Sequence, residues 1–166
     1  MQYIASKDAA EDDGADKAEI GARIKDSCHF EVGDDFFRQL AKSERHAIAA
    51  NPRAVSLPTR KVVKALWQGQ QPFCIASNNR FDLIKHLLAH TGMMRFFEPA
   101  HIFTSAQVAQ GKPAPDLFLF AAAQMGYPPT SCIVVEDSIP GLQAAKAAKM
   151  DAITFLGTPY AQRAAT

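Results

Sequence analysis

From Leu57 onward the apolar positions fall into two alternating textures. One recurs every three or four residues, the period of a helix face; the other is a short unbroken run, the mark of a covered strand. Pro58 opens the first helical stretch, which carries Val62, Val63, Leu66 and Trp67 before residues 68–72 break it. Residues 73–76 are a short buried strand ending at Ser77-Asn78-Asn79. A helix over residues 80–91 follows, with Phe81, Ile84, Leu87 and Leu88 on one face and Gly92 as its stop. Residues 101–104 form a second strand, and the loop Gly111-Lys112-Pro113-Ala114-Pro115 leads into a helix over residues 116–124 that Gly126 ends. A third strand spans residues 131–136, an Ala-rich helix residues 142–150, and a fourth strand residues 151–156. Strand and helix alternate throughout, so the expected fold class is α/β, a Rossmann-like parallel sheet with helices on both faces.

Residues 1–56 differ in texture. Residues 8–19 are acidic and Ala-rich, a frayed tail or the solvated face of a helix. Phe36, Phe37, Leu40 and Ile48 predict an amphipathic helix over residues 34–50 that Asn51-Pro52 ends. Composition narrows the class without naming a function. Of 166 residues, 48% are hydrophobic and 21% charged, ordinary values for a soluble domain. The formal net charge of +1 gives no basis for a nucleic-acid or membrane surface. No apolar run approaches the ~20 residues that span a bilayer. The N-terminus lacks the basic-then-apolar layout of a signal peptide, and Cys28, Cys74 and Cys132 show no CxxC spacing. The expected setting is the cytoplasm.

Candidate chemistry lies at three strand or loop ends. Ser77-Asn78-Asn79 sits where a strand gives way to a helix, so it offers a hydroxyl and N–H groups to an anion; taken alone, helix capping explains it better. Lys112 is held in a loop stiffened by Pro113 and Pro115. An ammonium so placed suits a phosphoryl oxygen, although an exposed loop lysine accounts for it when considered by itself. Glu136-Asp137 ends the apolar run Cys132-Ile133-Val134-Val135, and two acids at the carboxyl edge of a sheet invite a hard divalent cation such as Mg²⁺. An acidic turn is an equal reading of that pair in isolation. Together the three make the parts for phosphoryl transfer.

The combination resembles a known family. Ile75-Ala76-Ser77-Asn78, Gly111-Lys112-Pro113-Ala114-Pro115-Asp116 and Val134-Val135-Glu136-Asp137-Ser138-Ile139-Pro140-Gly141 look like motifs two, three and four of the haloacid dehalogenase (HAD) superfamily. The likeness points to its sugar-phosphate branch, the phosphoglycolate phosphatase, β-phosphoglucomutase and 6-phosphogluconate phosphatase group. It implies a HAD-like α/β core over residues 57–166, with residues 1–56 as part of a helical cap. It implies Mg²⁺-dependent hydrolysis of a small phosphorylated metabolite. Ser77 would hydrogen-bond the phosphoryl group, Asn78 would add its backbone N–H, and Lys112 would neutralise charge. Asp137 would ligate Mg²⁺, with Glu136 a direct or water-mediated second ligand.

One motif of that family is missing. Its nucleophile is the first Asp of Asp-x-Asp-x-Thr/Val after an apolar strand, and neither Asp12-Asp13-Gly14-Ala15-Asp16 nor Asp34-Asp35 fits. The resemblance therefore implies a chain that begins inside the cap and whose core lacks its first strand, one that lies mid-sheet in the family. The expectation is an inactive or nearly inactive chain. The alternatives are a phosphate-ligand-binding pseudoenzyme or one piece of a split protein, with a complementing N-terminal segment as partner. Truncation of a longer protein is a third reading.

Overall fold

The computed structural model describes residues 57–154, together with Asp35, Arg38 and Lys42, which are helical and exposed. The expected cap over the rest of residues 1–56, Cys28 and the end of the expected fourth strand lie outside the described residues. In chain order the elements are α1 (Leu57–Gln68), β1 (Ile75–Ser77), α2 (Phe81–His90), β2 (Ile102–Thr104), α3 (Asp116–Met125), β3 (Ile133–Glu136), α4 (Ile139–Ala147) and β4 (Asp151–Thr154), with short 3₁₀ turns between several of them. The expected alternation of strand and helix holds. α3 ends where Gly126, at φ 78°, takes the left-handed turn that lets backbone N–H groups cap the carbonyls of Ala122 and Ala123. α4 begins three residues before the expected Leu142. The Ser138 hydroxyl accepts from the Gly141 N–H, and Pro140 falls in the first turn, where a missing N–H costs nothing.

The strands form two parallel pairs. β1 and β2 are in register from Ile75 opposite Ile102 to Ser77 opposite Thr104. β3 and β4 run from Ile133 opposite Asp151 to Glu136 opposite Thr154. Among the described residues no ladder joins one pair to the other. Each pair is linked through its own helix, α2 for the first and α4 for the second.

Coverage of the two pairs differs. On one face of β1–β2, Ile75 and Ile102 pack with Ile84, Leu88, Met93 and Phe96; on the other, Cys74, Ala76 and Phe103 pack with Leu117 and Ala121 of α3. β3–β4 buries Val134 against Phe118 and Ala122 of α3 and against Ala144, Ala145 and Ala148 at α4. Small alanines let α4 approach the sheet closely, and α3 thereby underlies both pairs. The opposite face of β3–β4 is open: Ile133, Val135 and Ile153 are 64%, 63% and 56% exposed. The expected two-sided burial of the third strand is thus halved, because α3 and α4 both pack on its Val134 side. Trp67, one of the apolar positions of the first helical stretch, is 54% exposed while its ring meets Phe96 edge-on. No described helix is long and apolar enough to cross a membrane.

Candidate active site

The carboxyl ends of β1 and β3 are tied together through the loop that carries Lys112. Ser77 is the last residue of β1, and its hydroxyl accepts from the Asn79 N–H at 3.1 Å. It thus has the geometry of a local turn bond while keeping its hydroxyl at the strand end. The Asn78 side chain does something its spacing did not suggest. Its amide donates to the Lys112 carbonyl and its carbonyl accepts from the Lys112 N–H, both at 2.9 Å. The Asn78 backbone carbonyl accepts from the Ser105 hydroxyl at 3.0 Å. Asn78 is therefore a bracket that fixes the Lys112 backbone. Gly111 makes this possible, since a Cβ there would stand 2.7 Å from Asn78 Oδ1. The Lys112–Pro113 peptide is cis.

From this bracket the Lys112 side chain reaches the end of β3. Its ammonium pairs with Glu136 Oε1, and its Nζ lies 4.7 Å from the centre of the Phe118 ring. Both side chains of the pair are nearly enclosed, Lys112 at 10% and Glu136 at 9% exposure. In such a place a charge is tolerable only with a partner and satisfied hydrogen bonds. Glu136 has them. Its second oxygen, Oε2, accepts from the Asp137 N–H at 2.9 Å, and from the Ser138 N–H and Ser138 hydroxyl at 3.2 Å each. These donors open α4, so the carboxylate also sits at the positive end of the helix dipole.

Both oxygens of Glu136, one of the two expected Mg²⁺ ligands, are thus engaged. The Asp137 carboxylate has no hydrogen bond or ion pair among the described residues and is the donor left for a cation. One carboxylate completed by water and a substrate phosphate lies within what Mg²⁺ accepts. The donor set therefore fits the ion through Asp137, although no group of three His, Cys, Asp or Glu side chains gathers around a metal position among the described residues.

All five candidate residues lie along one path, from Ser77 and Asn78 through Lys112 to Glu136 and Asp137. Spacing alone did not reveal the bracketing by the Asn78 side chain, the Phe118 ring beside Lys112, or the role of Ser138 as both helix cap and donor to Glu136. Their sequence signals are Gly111 beside the lysine and Gly141 three residues after the serine. Away from the site, Cys74 and Cys132 are free thiols. Burial, with a smaller contribution from neighbouring Cys132, pushes the Cys74 thiol up to about 11.

Comparison with known proteins identifies the family. Residues 9–149 match the family model described as a haloacid dehalogenase-like hydrolase. Fructose-1-phosphate phosphatase YqaB of Escherichia coli K12 is 41% identical over 97 residues, covering 58% of this chain and 50% of its own length. The 6-phosphogluconate phosphatase of the same strain is 30% identical over 89 residues, covering 54% of this chain and 40% of its own. A HAD family hydrolase from Deinococcus radiodurans R1, solved with bound phosphate and sodium, superposes with a TM-score of 0.64 at 29% identity, over 88% of this chain and 64% of its own. The chain spans half or less of the length of these two curated relatives.

Proposed function

The chain belongs to the haloacid dehalogenase-like hydrolases, and from that premise we propose that its site serves Mg²⁺-dependent hydrolysis of a small phosphate monoester, with a sugar phosphate as substrate class. The observation that carries the reading is the convergence of Asn78, Lys112 and Glu136 across two strand ends. It holds a cation at the strand end that Asp137 follows, where a phosphate would meet the ammonium on one side and a Mg²⁺ held by Asp137 on the other. The names of the two curated phosphatases support the substrate class.

In this proposal the Ser77 hydroxyl and the Asn78 N–H hydrogen-bond two phosphoryl oxygens. Lys112 turns part of its charge toward the same group. Asp137 holds Mg²⁺, which when bound draws negative charge off the phosphoryl oxygens. Glu136 stands next to it as a direct or water-mediated ligand only if its bonds at the α4 mouth rearrange. These groups bind, orient and neutralise, which is most of what phosphoryl transfer asks of a protein. Free thiols at Cys74 and Cys132 suit a reducing compartment, and we place the chain in the cytoplasm.

These 166 residues contain no Asp-x-Asp-x-Thr/Val after an apolar strand. We therefore propose that this stretch by itself is inactive or nearly so, since losing one member of a catalytic unit removes most of the rate. A second reading, a phosphate-binding piece completed by another strand, is supported by the absence of a ladder between β1 and β3. Both strands pack on α3 without a ladder between them among the described residues. The test is p-nitrophenyl phosphate hydrolysis by the folded chain with Mg²⁺ and with EDTA, beside Asp137→Ala. The expected result is no turnover above the blank. Mg²⁺-dependent turnover that Asp137→Ala abolishes would keep the hydrolase reading and overturn the inactivity.

A further inference from the structure

We propose that Gly141 is a positioning residue: its missing side chain is the seat of the Glu136 carboxylate, and that seat fixes the Lys112 ammonium at the mouth of the site. Gly141 lies in the first turns of α4, where alanine is the better helix former. The backbone does not call for glycine there. The glycines with positive φ among the described residues are Gly92 and Gly126, and Gly141 is not one of them. What it supplies is space. A Cβ built on Gly141 would stand 2.1 Å from both Cδ and Oε1 of Glu136 and 2.3 Å from its Cγ. Contact with Cγ as well as the carboxylate means that a small turn of the carboxylate does not relieve the overlap.

The Glu136 side chain has nowhere cheap to go. Oε2 is held by the N–H groups of Asp137 and Ser138 and by the Ser138 hydroxyl, and Oε1 by Lys112. Moving it strips a nearly enclosed carboxylate of its donors and leaves the ammonium, among the described residues, with the Phe118 ring alone. The path of action runs from Gly141 through Glu136 to Lys112. The Ser138 hydroxyl joins it, because the same oxygen that donates to Glu136 accepts from the Gly141 N–H at 3.1 Å. That Lys112 clamps a phosphoryl group rests on the function proposed above; the seat rests on the geometry alone.

The experiment is acetylation of Lys112 by acetic anhydride, followed by mass spectrometry on the folded chain, with inorganic phosphate affinity measured alongside. Gly141→Ala is expected to raise the Lys112 modification rate about tenfold, whereas in a Glu136→Ala background the same substitution changes it by less than about twofold, the signature of two coupled positions. Unchanged Lys112 reactivity in Gly141→Ala overturns the proposal, as does an equal effect in both backgrounds. Should Gly141→Ala fail to fold, Glu136→Ala/Gly141→Ala decides. A folded double variant supports the seat, and an unfolded one beside a folded Glu136→Ala overturns it. Lys112 reactivity that follows expectation while the wild-type chain shows no phosphate affinity keeps the seat and sinks the phosphate reading.

Discussion

Two parallel strand pairs of nearly the same apolar texture end up in different surroundings. β2 is buried at every position, from Ile102 at 3% exposure to Thr104 at 4%, because α2 covers one face of its pair and α3 the other. In β3, Val134 and Glu136 are buried while Ile133 and Val135 face outward. The difference shows that strand hydrophobicity records how much cover a sheet can take, and that helix placement decides how much it receives. It also shows where the chemistry is secured. Glu136 shares with Val134 the side of β3 on which α3 and α4 pack, and Phe118 of α3 lies under the ammonium that pairs with it.

Truncating one isoleucine in each pair separates the two environments. Ile102→Ala should destabilise the chain by about 2–5 kcal/mol through lost burial and a cavity. Ile133→Ala should change stability by no more than about 0.5 kcal/mol, as an exposed position does. Urea unfolding of the two variants compares them directly, and equal losses would mean that the open face of β3–β4 is covered in solution. The link between the halves comes next. Glu136→Ala removes one partner of an enclosed ion pair and should cost about 3 kcal/mol, with Glu136→Gln milder because it keeps bonds at the helix mouth. A smaller change acts at the end of the helix shared by both pairs. Gly126→Ala forces a Cβ into the left-handed region at φ 78° and should cost about 1 kcal/mol by the same assay.

A further effect is one of pH. The folded Cys74 thiol keeps its proton to about 11, above the 9.0 of an ordinary cysteine. Between those values the folded chain binds more protons than the unfolded one, so stability falls as pH rises through that window. The contribution is fully present below about 9, and Cys74→Ala should flatten that part of the stability profile. Iodoacetamide at pH 8 should modify Cys74 far more slowly than a free thiol.

Much of this was legible in the sequence because it depends on local pattern. Helical spacing at Ile84 and Leu88, the stop at Gly126 and the β-branched run before Glu136 each prescribe their element with little help from elsewhere. The same patterns placed Ser77 and Glu136 at strand ends, and the structure has them there. What pattern does not carry is which partner a polar side chain chooses. Asn78 spends its side-chain amide on a loop 34 residues away, and Glu136 faces Lys112 rather than standing free beside Asp137. Coverage of a sheet face is likewise a tertiary property, so Val135 reads as core and lies exposed.

The ends of β1 and β3, joined through Lys112, are the phosphate site proposed above. The measurement that tests it most directly is a titration of the ¹⁵N-labelled chain with inorganic phosphate and Mg²⁺, followed by amide shifts and repeated on Lys112→Met. Saturable shifts gathered at Ser77, Asn78, Lys112, Asp137 and Ser138 are expected, with their loss in the folded variant. Shifts that are absent from those amides, or that persist unchanged in Lys112→Met, would contradict it.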